Sequence, residues 1–272
     1  MEGRMLTPDE IALATIEAGT KKANLPFYKM ILLGITAGMF IGFGAHGSLT
    51  AMQTLKCIDV GLMKFLGAIV FPVGLMLVVI AGAELFTGNN LIALALMSKR
   101  ITFSKMLKNW VFVYLGNFIG SVLLAFLIYK SGLVNDSIRD LSINIAFNKV
   151  ELTFSQALIR GILCNILVVL AVWMATGSKD IVSKIFSIWF PIMLFVLAGY
   201  EHSVANMFYI PLGKFLGANI KWSEMVIKNL VPVTIGNIIG GAIFVCGFYY
   251  LTYVFNRKEK NEDKRLSSNS MK

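Results

Sequence analysis

GAELFTGN at 82–89 and GYEHSVAN at 199–206 carry one pattern: Gly, then Glu two places on, then Asn five places after the Glu. A long apolar run leads into each. A charge at the centre of a bilayer costs at least ~2.5 kcal/mol, so it is tolerated where it lines a cavity or is paired inside the protein. One such interruption can come from local packing. Two at corresponding places in the halves of a chain point to a transport site where internal repeats meet.

Composition agrees with a protein dissolved in lipid. The chain has 272 residues, 57% of them hydrophobic and only 15% charged, against about 25% charged in soluble domains. Hydrocarbon admits only helices or closed barrels, because unpaired backbone groups are too costly there. The apolar runs are continuous rather than alternating, which selects helices. The spans expected are 27–48, 60–98 with its interruption, 108–130, 154–177, 184–215 with its interruption, and 228–255.

Residues 1–26 are polar and lack the apolar core of a cleavable signal, so they are expected to stay with the mature protein. Thr7, Pro8 and Glu10 mark a helix start, and Ile11, Ala14, Ile16 and Ala18 give a weakly apolar face, expected to lie on the membrane surface. Residues 257–272 are charged and rich in Ser and Asn, the composition of a disordered cytoplasmic tail. The domain plan is thus 1–26, a transport domain over 27–256, and the tail.

The net charge of +10 has a topological source. Arg4, Lys21, Lys22, Lys29, Lys99, Arg100, Lys105, Lys108 and the cluster after Arg257 all fall on one side if both termini are cytoplasmic. That is the positive-inside arrangement, not a nucleic-acid footprint. Cys57, Cys164 and Cys246 stand singly, with no metal spacing and no evident disulfide, so no cofactor or metal is expected.

The repeat extends beyond the two interruptions. YLGNFIGS (114–121) and TIGNIIGG (234–241) share Gly-Asn-x-Ile-Gly, and each follows its Glu at nearly the same distance. Three spans per copy is odd, so the second copy crosses in the opposite sense: an inverted repeat. Gly34, Gly38 and Gly42, Gly116 and Gly120, and Gly236 and Gly240 suit close helix packing, and Asn117 and Asn237 suit hydrogen bonds between helices.

Leu85 and Phe86 beside the first interruption can form an apolar constriction that stops ion leakage by dewetting, and Thr87 can offer a hydroxyl to an anion. Glu201 and His202 are adjacent, so on a helix they point about 100° apart. Histidine titrates near neutral pH, which suits it to pass a proton to a weak acid. Glu84 and Glu201 are expected to accept backbone N–H groups where the helices break, and His46 to sit at the membrane interface. Lys149, in the loop before the fourth span, can draw anions electrostatically.

These stretches, with FNKVELTF (147–154), RGILCNILVVLAVWMA (160–175) and NLVPVTIGNIIGGA (229–242), resemble the formate/nitrite transporter family. The resemblance implies an aquaporin-like fold of six transmembrane helices in two inverted repeats, with helices 2 and 5 interrupted. It also implies a homopentamer with one pore per protomer, in the inner membrane of a bacterium. Phe71, Leu75 and Phe208 look like the family's outer constriction; Leu85, Phe86 and Val168 look like the inner one. Thr87 looks like the hydroxyl of the mobile loop, His202 like the central histidine, Glu201 and Asn206 like its support with Asn165 near it, and Lys149 like the electropositive residue over the chamber. The expected cargo is a small monovalent anion of a weak acid with a proton: formate first, nitrite or hydrosulfide as alternatives. An intramembrane enzyme using Glu201 and His202 lacks a nucleophile or metal cluster. A water or neutral-solute facilitator of the same architecture is the other rival.

Overall fold

The computed structural model describes residues 5–255, and the expected disordered tail lies outside them. The described chain is helical throughout: α1 (Pro8–Ala23), α2 (Phe27–Met52), α3 (Val60–Gly82), α4 (Gly88–Met97), α5 (Phe103–Lys130), α6 (Asp136–Val150), α7 (Phe154–Gly177), α8 (Ile181–Leu197), α9 (Ser203–Phe215) and α10 (Trp222–Phe255). Five of these, α2, α3, α5, α7 and α10, are long and apolar enough to cross a membrane. The second and fifth expected spans are each split, into α3 plus α4 and α8 plus α9.

Local sequence explains where helices begin. The Thr7 and Glu10 side chains bond each other's backbone N–H across the first turn of α1, and Thr153 and Gln156 do the same for α7. Asp59, Thr102, Asn135, Asp180 and His202 each accept a backbone N–H at the start of α3, α5, α6, α8 and α9, which satisfies donors that have no partner within the helix.

Two helix pairs carry the frame. α2 packs on α5 through Gly34, Gly38, Gly116 and Gly120, and α7 packs on α10 through Gly161, Gly236 and Gly240. A Cβ on Gly120 would collide with the Ile35 carbonyl, and one on Gly236 with that of Leu158. Absent side chains thus let the backbones touch.

The interruptions follow the same logic. α3 ends in a wide turn in which Ala83 N–H bonds the Val78 carbonyl at 2.9 Å, and Gly82 takes φ +88°. Past α8, Gly199 takes φ +75°. These are left-handed conformations that favour glycine.

α1 departs from expectation. It buries Ile11, Ala12, Ile16, Gly19 and Ala23, sets Gly19 against Ile92 and Ala95 of α4, and ties Leu6 N–H to the Gly177 carbonyl at 3.1 Å. Ile11 and Ile16 of the expected apolar face are therefore spent on the bundle, while Ala18 and Leu13 stay exposed.

Candidate functional site

Each interruption leaves a carboxylate in the interior, and each is neutralised by a lysine from a helix outside the spans. Glu84 Oε1 accepts Lys22 Nζ at 2.7 Å, and its Oε2 accepts Asn89 Nδ2 at 2.7 Å. Asn89 also donates to Asn109 Oδ1 at 2.9 Å, and Asn109 Nδ2 returns to the Lys22 carbonyl at 3.0 Å. In the other half Lys149 Nζ bonds Glu201 Oε1 and Oε2 at 3.1 and 3.0 Å, and Asn206 Nδ2 donates to Glu201 Oε2 at 2.6 Å. Asn206 donates to Asn229 Oδ1 at 2.7 Å, and Asn229 returns to the Lys149 carbonyl at 2.8 Å.

The broken backbones are stapled in the same duplicated way. Asn117 Nδ2 donates to the Gly34 and Glu84 carbonyls, both at 2.9 Å, and its Oδ1 accepts Phe86 N–H at 2.9 Å. Asn237 Nδ2 donates to the Gly161 and Glu201 carbonyls at 2.8 and 3.0 Å, and accepts Ser203 N–H at 3.0 Å. The expectation that these asparagines join helices is met. The expectation that the two glutamates accept backbone N–H groups is corrected: Asn117 and Asn237 do that work, and the carboxylates take lysine and amide donors. A full charge in an apolar interior needs a counter-charge, which an amide N–H does not supply.

Thr87 and His202 close the space between the halves. Thr87 Oγ1 lies 2.8 Å from His202 Nε2, and both residues are buried. His202 Nδ1 accepts Ala205 N–H at 3.0 Å as the cap of α9. A backbone N–H can only donate, so Nδ1 carries no proton and the neutral ring keeps its proton on Nε2, donated to Thr87. Asn165 Nδ2 reaches the Thr87 and Asn237 carbonyls at 3.4 and 2.7 Å. The Phe195 ring stacks on His202 with centroids 5.9 Å apart.

Two vestibules flank this point. One, of ≈ 650 Å³, holds Lys149, Arg160, Glu201, His202, Asn206 and Tyr209. The other, of ≈ 440 Å³, holds Lys22, Glu84, Leu85, Gly88 and Asn89. Between them is a gap of ≈ 10 Å³ walled by Ile41, Phe71, Leu75, Leu85, Val168, Ile192, Phe195 and His202, scarcely room for one water.

Four of the six residues expected at the constrictions, Phe71, Leu75, Leu85 and Val168, therefore wall the gap. Phe86 and Phe208 line neither vestibule nor gap. Phe86 lies in the turn that leads into α4 and packs away from the gap, edge-on to Tyr114 and Trp110 with centroids 4.9 and 6.0 Å away. On α9, Ala205, Asn206 and Tyr209 face the vestibule, which turns Phe208 towards Gly42 of α2. Phe195 stands where Phe208 was expected, edge-on to Phe71 at 5.6 Å. Lys149 sits on helix α6 rather than in a loop.

Sequence reasoning passed over Lys22, Asn109 and Asn229. A signal was present: Lys22 precedes Gly34 by the interval at which Lys149 precedes Gly161, and Asn109 precedes Asn117 as Asn229 precedes Asn237. Among the described residues no cluster of metal-ligating side chains occurs.

Residues 9–251 match the family described as "Formate/nitrite transporter". The chain is 42% identical to an uncharacterized transporter, YrhG, of Bacillus subtilis, covering 96% of this chain and 98% of that one. It is 36% identical to the formate channel FocA of Escherichia coli, over 92% and 95% of the two chains. Among solved structures, a pentameric formate channel with formate bound superposes with a TM-score of 0.77 at 35% identity, covering 84% of this chain and 98% of that one.

Proposed function

The chain belongs to the formate/nitrite transporter family, a family of membrane channels and transporters and not of enzymes, and on that premise we propose that it carries formate across the bacterial inner membrane together with a proton. The observation that carries the reading is a pair of lysine-bearing vestibules separated by an apolar gap with Thr87 and His202 at its edge. In the same reading the two halves are inverted repeats, both termini are cytoplasmic, the Lys149 vestibule opens outward, and five copies assemble with one passage each, as in the related pentameric channel.

A bare anion cannot enter the gap without losing its hydration at large cost, whereas its neutral acid can. Lys149 draws the anion into the vestibule. Glu201 holds the ammonium in place while leaving it N–H capacity for a passing ligand. Thr87 then rotates its hydroxyl from His202 to the anion, which frees the Nε2 proton of His202 to face it. While Ala205 caps onto Nδ1 the ring is neutral and keeps its one proton. The cap therefore opens first and Nδ1 takes a proton from the vestibule side; the imidazolium then gives its Nε2 proton to the anion and returns to a neutral ring. The acid crosses between Phe71, Leu75, Leu85, Val168 and Phe195 and ionises beside Lys22.

Side-by-side uptake of formate, nitrite and hydrosulfide by proteoliposomes tests the assignment. Formate flux that exceeds the other two and acidifies the lumen supports it; nitrite or hydrosulfide flux with little formate flux replaces the substrate.

A further inference from the structure

We propose that Thr15 of α1 is the hydroxyl of a second anion-holding subsite on the wall of the Lys22 vestibule, taking the same class of small monovalent anion as the passage; this rests on the transport reading above. The Thr15 side chain is buried, 3% exposed, yet its Oγ1 has no hydrogen-bond partner in the protein. It lines the ≈ 440 Å³ vestibule that contains Lys22. A buried hydroxyl without a partner costs about 1–3 kcal/mol, so one on a residue that lines a cavity is a place for a ligand or water to bind.

The contrast with its neighbours is internal to the molecule. A helical threonine normally returns its hydroxyl to the carbonyl four residues back. Thr20, Thr36, Thr50, Thr176 and Thr252 all do so, at 2.8–3.0 Å. Ser142 of α6, as far ahead of Lys149 as Thr15 is ahead of Lys22, does the same to Ile138 at 2.7 Å. Thr15 alone of this set leaves its hydroxyl without a partner in the protein. Of the vestibule's other polar side chains, Glu84 and Asn89 are held by Lys22 and by each other, and Thr176 is satisfied by its own helix.

Thr15 and Lys22 are seven residues apart on one helix, roughly 10 Å along its axis. That is too far to grip one small anion together and close enough for successive steps. A hydroxyl donates one hydrogen bond without a full charge, so it holds an anion briefly and lets it go, as conduction requires.

Crystals of the wild type, Thr15→Val and Thr15→Ser soaked in bromide provide the test, since bromide is a monovalent anion located by its anomalous signal. The expected result is bromide at hydrogen-bonding distance from Thr15 Oγ1 in the wild type and in T15S, lost in T15V, with bromide beside Lys149 in all three. Formate flux at sub-saturating concentration is expected to fall about fivefold in T15V and to recover in T15S. Thermal stability of T15V should be no lower than wild type, because no protein hydrogen bond is removed. Bromide at Lys149 without bromide at Thr15 in the wild type, or unchanged occupancy in T15V, overturns the subsite alone. Bromide in neither vestibule of the wild type overturns the transport reading with it.

Discussion

His202 uses its two ring nitrogens for different ends: Nδ1 caps α9 and Nε2 faces Thr87. Substitution should separate them. Asn is a good helix cap and Ala a poor one, so His202→Ala should lose about 1 kcal/mol more stability than His202→Asn in thermal melts. Both should lose the pH dependence of formate flux expected of the wild type; a variant that keeps it removes His202 from the proton path. The Lys149–Glu201 pair gives a second residue-scale expectation, since both side chains are largely buried, 14% and 6% exposed. Lys149→Met should cost about 3 kcal/mol by stranding a buried carboxylate, and adding Glu201→Gln should recover part of it. Equal destabilisation in single and double variants would show that the two charges are not coupled. Much of this site was legible: buried Glu, His and Asn in apolar runs are conspicuous. Phe86 and Phe208 were misplaced because many aromatics fit the pattern, and only the direction of the chain leaving α3 and entering α9 decides which one faces the gap. Lys22 was missed because a lysine on a polar terminal helix has no apolar surroundings to mark it.

At the scale of elements, the broken helices persist because Asn117 and Asn237 satisfy backbone groups that hydrocarbon cannot. Asn237→Leu strands the Gly161 and Glu201 carbonyls and the Ser203 amide, at about 1 kcal/mol or more each. It should therefore lower the melting temperature sharply and abolish formate flux, while a nearly unchanged melt would show that the staple contributes little. The seams α2–α5 and α7–α10 permit no side chain at their closest points. Gly236→Val should yield little folded protein, as read by size-exclusion chromatography of the detergent extract. The positions of the breaks and the glycine seams were readable because spacing in sequence translates directly into helical geometry. The docking of α1 was not, because its apolar face is weak and its partners, Ile92, Ala95 and Gly177, are distant in sequence.

For the whole molecule, matched networks brace Glu84 and Glu201 each within its own half, and Thr87 meets His202 and Asn165 across the halves beside a gap too narrow and apolar for a hydrated solute. Exposed apolar side chains such as Leu115, Ile119, Leu123 and Phe126 on α5 and Phe244, Phe248 and Leu251 on α10 suit contact with lipid or with neighbouring subunits. A gap of this size and lining should pass a small weak acid and exclude neutral polyols. Stopped-flow measurement of formate uptake and of glycerol-driven swelling on the same proteoliposomes decides between the two. Formate uptake should be rapid and glycerol permeability no higher than in protein-free vesicles; rapid glycerol swelling without formate uptake would make the passage a neutral-solute facilitator instead.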